Sequence, residues 1–281
     1  MCEFCVQHGE GKKWYLQAKN YSQDLLSDAR RRGFIKDFFS HPENLSADQG
    51  QMTKLAKLPP FVQRMVKSSA TRKMKKQHFG QVLPLEDVRD IFGFVTSITR
   101  VNCICRYSKL GREARYCYGV AMGRSGEAFG EILAESGQNL ASNPLFTGVE
   151  QLTAEQALQA FEDHEKEGLC HTVWTFGTPF IGGICNCDRS DCLAMNATVT
   201  HDVKVMFRAE VVAESNPELC TGCRSCMRLC PFGALGFGAA TRKVTVDQNF
   251  CYGCGICRSA CAKNAITMRP RSEMPAVANL W

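Results

Sequence analysis

From Tyr15 to Phe39 the chain reads YLQAKNYSQDLLSDARRRGFIKDFF, with apolar positions at helical intervals and no glycine before Gly33. That period predicts a helix. His41-Pro42 ends it, since proline cannot continue a helix. A second helix is expected after Pro59-Pro60, carrying much of a basic run, and a third over PLEDVRDIFGFVTSI, with Pro84 near its first turn. RYCYGVAM and HTVWTF are aromatic and β-branched and read as short strands. Between them, Thr153 and Gln156 form a capping box for the helix AEQALQAFEDHEKE, which Gly168 stops. His164 and Glu165 are expected on the solvated face of that helix.

These elements divide the chain of 281 residues into three regions. Residues 1–80 are helical, residues 81–200 mix helix and strand, and residues 201–281 form a compact cysteine-rich module. An α+β fold follows, with a helix-rich N-terminal lobe and a small sheet ahead of that module. Nowhere do 18 apolar residues run consecutively, so no transmembrane helix is expected. The start, MCEFCVQHGEGKKW, lacks the apolar core of a secretory signal. A cytoplasmic chain is therefore expected.

Charge changes the picture locally. There are 34 Lys and Arg against 28 Asp and Glu, a net +6. Eight of the bases are Lys54, Lys57, Arg64, Lys67, Arg72, Lys73, Lys75 and Lys76, and no acid lies between Asp48 and Glu86. Without those eight, acids outnumber bases. The basicity thus belongs to segment 54–76, which reads either as a solvated helix face or as a docking site for an acidic protein partner. Nucleic acid is the weaker reading, because only Phe61 and Phe79 could stack on bases. Membrane-surface binding is weaker still.

Cysteine changes it more. Seventeen thiols in a chain of this length, without an export signal, point to metal rather than disulfides. Eight lie in a repeat. Cys220-x2-Cys223-x2-Cys226-x3-Cys230 recurs 31 residues later as Cys251-x2-Cys254-x2-Cys257-x3-Cys261. Each copy ends in an alanine and an apolar residue, Ala234-Leu235 and Ala265-Ile266. Three thiolates in close succession on a looping chain can wrap three corners of a cubane, and the fourth must come from elsewhere. Two zinc sites of four thiolates each are the alternative, a poor one for ligands this closely spaced.

The spacing resembles the bacterial-type dicluster ferredoxins, over roughly 70 residues from VKVMFRAEVVAES to AITMRPR. The resemblance implies two [4Fe–4S] clusters, with the fourth Cys of each run serving the other cluster. One cluster would take Cys220, Cys223, Cys226 and Cys261, and the other Cys251, Cys254, Cys257 and Cys230. Two short antiparallel β pairs and short helices would enclose them. One departure is Ala262 after Cys261, where the family usually has proline.

Nine cysteines remain. Cys103-Ile-Cys105 and Cys185-Asn-Cys187 are C-x-C pairs, trailed by Cys117 and Cys192. On an extended chain both thiols of such a pair face one way, spaced to share one metal centre. These six are candidate ligands of a further iron–sulfur cluster or of zinc. Cys2 and Cys5, with His8 nearby, could complete one more site. Cys170 is isolated and reads as a small buried hydrophobe, and His171 as an ordinary histidine. The pattern GQVLPLEDVRDIF, NCICR, ICNCDRSDC resembles a group of iron–sulfur proteins from anaerobes that carry a C-terminal dicluster domain. That likeness implies redox work and extra clusters but no substrate.

Nucleotide-binding, radical-SAM, zinc-protease and serine-hydrolase motifs are absent. No catalytic residue stands out. The expected function is electron transfer, as a subunit of a larger anaerobic oxidoreductase rather than a stand-alone catalyst. It would relay electrons through two [4Fe–4S] clusters and one or two more. The alternatives are a redox enzyme with a site-differentiated cluster in the middle region, or an iron–sulfur sensor or assembly factor.

Overall fold

The computed structural model describes residues 13–41, 54–123 and 147–280, with positions 45, 50, 52, 131, 132, 135 and 145 between them. Cys2, Cys5 and His8 lie outside the described residues.

The helix expected over 15–39 forms only in part. Three 3-10 turns, Trp14–Leu16, Ala18–Tyr21 and Gln23–Ser27, precede α1 (Ala29–Ser40). Two caps interrupt it. The Ser22 hydroxyl accepts from the Asp24 N–H, and the Asp28 carboxylate accepts from the Arg31 N–H. Each satisfies an amide that a continuous helix would use, so the chain restarts there. α2 (Pro60–Gln77) opens on Pro60, whose missing N–H is no loss at a first helical position. α3 (Leu85–Phe92) ends at Gly93, short of the expected span.

A seven-stranded sheet follows, in the order β4–β2–β3–β6–β5–β1–β7. Its strands are β1 (Gly80–Val82), β2 (Ser97–Val101), β3 (Cys117–Ala121), β4 (Glu150–Leu152), β5 (Cys170–Thr175), β6 (Ile181–Cys187) and β7 (Met206–Phe207). All neighbours are antiparallel except β1 and β7. Between strands lie α4 (Ile104–Leu110), α5 (Ala154–Lys166) and α6 (Leu193–Val199). The capping box of α5 forms. Thr153 Oγ1 accepts from the Gln156 N–H at 3.2 Å, and Gln156 Oε1 accepts from the Thr153 N–H at 3.0 Å.

Strand alternation gives the sheet two different faces. On one, Ile98, Tyr118, Val120, Val173 and Ile184 pack with Ile91 and Phe92 of α3 and Phe161 of α5. Each such side chain, fully buried, contributes about 1.5–3 kcal/mol. On the other, the register sets Val101, Cys117, Cys185, Thr172 and Val82 in one row across five strands. Thr99, Gly119, Gly183, Trp174 and Gly80 form the next row.

The solvated face expected for His164 and Glu165 is corrected by the packing of α5. Both residues are buried, at 8% and 4% exposure. His164 Nε2 is hydrogen-bonded to the Tyr118 hydroxyl at 3.0 Å. Glu165 turns towards Gly255 and Arg258 in the C-terminal module, and burial raises its carboxyl above the usual range.

That module pairs β8 (Val211–Ser215) with β11 (Ile266–Pro270), and β9 (Leu235–Gly238) with β10 (Lys243–Val246). Two short helices, α7 (Ser225–Leu229) and α8 (Ile256–Ser259), complete it. An ion pair from Arg258 to Glu86 ties it to α3. No helix among the described residues is long and apolar enough to cross a membrane.

Candidate metal centres

In the C-terminal module the two cysteine runs sit in matching environments. Backbone amides donate to four thiols: Val244 to Cys220 and Ala213 to Cys251 at 3.4 Å, Ala234 to Cys230 at 3.4 Å, and Ala265 to Cys261 at 3.3 Å. Corresponding positions of the repeat receive corresponding bonds, the mark of a pseudo-two-fold. N–H···S bonds of this kind stabilise a thiolate and tune a cluster held by it. Gly222 and Gly253 open the two loops with φ of +72° and +79°. A Cβ at Gly253 would press on the Val211 carbonyl and lie 3.0 Å from the Ala209 Cβ. At Gly222 it would press on the Arg242 carbonyl. Only glycine permits both the left-handed turn and the close approach.

Thiols of the two runs lie close enough to influence one another. The thiol of Cys226 feels those of Cys261 and Cys223, and the thiol of Cys230 feels that of Cys254. Burial pushes the Cys257 thiol up, reinforced by Cys254, Cys251, Cys230 and Cys226. Cys223 alone of the eight is exposed. The Ser225 amide beside it holds its thiol below the usual range.

In the middle region, six thiols that are distant in sequence meet in one place. Cys185 of β6 lies opposite Cys117 of β3. Cys117 also meets Cys103, Cys103 meets Cys105, Cys105 meets Cys192, and Cys192 meets Cys187. The result is an unbroken chain of sulfur contacts lining one cavity. The two C-x-C pairs reach it differently. Cys185 and Cys187 share a face of β6, as an extended chain requires. Cys103 instead precedes α4 and Cys105 lies in its first turn, so this pair meets through a helix start and not through a strand. Cys192 likewise precedes α6. Hydrogen bonds from Cys105, then from Cys117, hold the Cys103 thiol well below its ordinary range. Cys105 and then Cys187 do the same for Cys192. Among the described residues, no three such side chains converge on a point that a single ion could occupy. The thiols ring a volume instead.

The charge of such a set needs a counter-charge, and Arg106 supplies it. This guanidinium is 3% exposed and feels the thiols of Cys103 and Cys187. It pairs with Asp188, donates to the Asn186 carbonyl at 3.1 Å and lies 4.1 Å from the Tyr116 ring centre. Arg106 and Asp188 were not among the expected site residues. Their signal was present in Cys103-Ile-Cys105-Arg106 and Cys185-Asn-Cys187-Asp188, where opposite charges directly follow the two C-x-C pairs.

Cys170 is fully buried, but it is not isolated. It lies opposite Cys187 in the β5–β6 register, and it hydrogen-bonds to Cys254 of the C-terminal module. That bond holds the Cys254 thiol below its usual range. Cys170, Cys187, Cys192 and Cys254 share one packed core with Trp174 and Ile256. His171 is a core residue, its Nδ1 2.7 Å from Asn186 Oδ1.

Comparison with known proteins bears on the C-terminal module. Over 60 residues, 21% of its length, this chain is 33% identical to the Archaeal-type glutamate synthase (NADPH) of Thermotoga sp. (strain RQ2), and equally to that of Thermotoga maritima. Over 56 residues, 20% of its length, this chain is 38% identical to the Pyruvate synthase subunit PorD of Thermotoga maritima. The chain spans 12% of the length of the glutamate synthases and 56% of PorD. Residues 213–262 match the model of the 4Fe-4S dicluster domain. With eight free thiols, amide donors at matching sulfurs and glycines at both loop approaches, this segment of the chain is a 4Fe-4S dicluster domain that carries two [4Fe–4S] clusters.

Proposed function

We propose that the protein is a multi-centre electron relay, in which a further iron–sulfur cluster in the middle region passes electrons to and from the dicluster domain. The observation that carries this reading is the continuity of sulfur across the two regions. Six thiols ring one volume, and Cys170 bridges from Cys187 in that ring to Cys254 in the dicluster domain. A ring of donors around a volume suits a polynuclear cluster. Six thiolates are more than the four that one zinc takes.

The clusters, when bound, supply one-electron transfer. The chain does the rest. We assign Cys220, Cys223, Cys226 and Cys261 to one cluster, and Cys251, Cys254, Cys257 and Cys230 to the other. The third would draw its ligands from Cys103, Cys105, Cys117, Cys185, Cys187 and Cys192. Arg106 offsets thiolate charge, and the Cys170 thiol stabilises charge on Cys254. The exposed Cys223 marks the end at which electrons leave or enter. No residue is required as a general acid or base.

PorD is named as a subunit of pyruvate synthase, and the name of the glutamate synthases carries NADPH. By analogy this chain serves a larger oxidoreductase, in the cytoplasm of an anaerobe. Segment 54–76 is the proposed dock for an acidic partner. On α2, Phe61 and Met65 are 69% exposed amid its basic residues, an apolar centre within a basic surround. Such a patch both steers a partner and holds it. A second reading, an enzyme acting at the middle centre, draws on the size of the cavity beside that centre.

Iron, acid-labile sulfide and zinc per chain, measured on anaerobically purified protein, test the relay. About twelve to sixteen irons support it. About eight irons, with or without zinc in the middle region, overturn it and leave a two-cluster carrier.

A further inference from the structure

The ring of middle thiols occupies only one end of its cavity. The whole cavity is about 1330 Å³, larger than the 300–1,000 Å³ typical of small-molecule sites. Its floor is the second face of the seven-stranded sheet. Directly beside the row that pairs Cys117 with Cys185 lies the row that pairs Gly119 with Gly183, on the two central neighbours β3 and β6. Both glycines line the cavity.

This floor is bare. Among the described residues, a Cβ at Gly119 would find only backbone within 4 Å, the Thr99 carbonyl at 3.8 Å and the Gly182 carbonyl at 3.9 Å. At Gly183 it would meet the Tyr118 carbonyl at 3.4 Å and the edge of Phe176 at 3.9 Å. Neither position has a positive φ, so neither glycine is required by the backbone. Each weakens its strand by about 0.5–1 kcal/mol relative to alanine. Adjacent glycines at the centre of a sheet mark a place where something approaches the backbone closely.

The walls say what approaches. Phe38 and Phe39 of α1, with Trp174, Phe176, Phe180 and Met74, line the same space, and Trp174 reaches back to the thiols through Thr172 and Cys187. The space opens to solvent past Leu58, Val66 and Val149, and its lining is mostly apolar, so a guest can enter and lose apolar surface to it. Aromatic walls over a flat peptide floor match a flat guest.

We propose that this chamber binds a planar, conjugated and largely apolar ring system of naphthalene size or larger, lying on the Gly119–Gly183 floor with one edge towards the middle thiols. The site exists whether or not a third cluster forms. That the guest exchanges electrons with that centre rests on the relay reading.

The test is calorimetric titration of the full-length, anaerobically purified chain with 2-naphthol and, as a non-planar comparator, 1-adamantanol. We expect 2-naphthol to bind roughly tenfold or more tightly than 1-adamantanol. Gly119→Ala adds one methyl to open space and should weaken 2-naphthol severalfold, and Gly119→Val roughly tenfold or more. Iron content and thermal midpoint show that each variant is folded, and the alanine variant keeps the test valid if valine disturbs the strand. No detectable binding of 2-naphthol overturns the proposal, as does equal affinity for the two probes or affinity unchanged in both variants. Because the readout is binding, its failure is separate from an iron count that fails the relay.

Discussion

Gly253→Ala puts the close approach in the dicluster domain to a quantitative test. The residue sits at φ +79°, and a Cβ there meets both the Val211 carbonyl and, at 3.0 Å, the Ala209 Cβ. Two costs add. A non-glycine residue in the left-handed region costs about 1–2 kcal/mol. Forcing a methyl group against backbone that has no room costs a further 1–3 kcal/mol or so. The total is about 2–5 kcal/mol, directed at the loop that carries Cys251 and Cys254. Gly233 provides the control. Its φ is +69°, but among the described residues nothing lies within 4 Å of its Cβ position, so Gly233→Ala should cost the conformational part alone, about 1–2 kcal/mol. The assay is the anaerobic urea midpoint of both variants, with iron counted before unfolding. Gly253→Ala should lose more stability than Gly233→Ala by about 1–3 kcal/mol and hold less iron. Equal losses in the two variants would refute the steric argument and leave only the backbone effect.

Three further outcomes follow from particular side chains. Asp188→Asn leaves the buried Arg106 without its carboxylate. Because Asp188 is itself partly exposed, the expected loss is about 2–3 kcal/mol in a denaturant melt, and a change below about 0.5 kcal/mol would mean the pair is idle. Burial holds His171 at about 4, below the ordinary 6.5, so its neutral form belongs to the folded state. Stability from this group is complete above pH 6.5 and is lost as pH falls towards 4, by about 3 kcal/mol. His78, also held down to about 4, adds a similar slope. Burial holds His164 down as well, so His171→Asn should remove part, and not all, of the acid sensitivity in melts taken across that range. Cys170→Ala removes the donor to Cys254 and should lower the potential of one dicluster centre in an EPR-monitored redox titration, with iron content unchanged. An unmoved potential would mean that the bond does not form in the loaded protein.

The dicluster domain was legible in the sequence because a cubane's demands are local. Each run of Cys220–Cys230 and Cys251–Cys261 places its thiols within a few residues, so spacing alone carries the chemistry. The capping box at Thr153 and the helix start at Pro60 were legible for the same reason, since caps are decided within one turn. The long N-terminal helix was misjudged. Periodicity does not weigh the side-chain caps at Ser22 and Asp28 that break it into 3-10 turns before α1.

The sequence named the six middle thiols but could not bring them together. Their meeting depends on the β3–β6 register and on the starts of α4 and α6, which are long-range pairings. Cys170 looked solitary because its partners, Cys187 and Cys254, are 17 and 84 residues away. His164 and Glu165 looked solvated because a charged helix shows its composition and not its neighbours, and α5 is covered by the sheet and by α8. Residue type and close spacing by themselves determined what this protein can bind. Only tertiary structure decided which distant thiols share a space, and which strand glycines stand open beside them, because strand register and helix packing are made by contacts that no local pattern encodes.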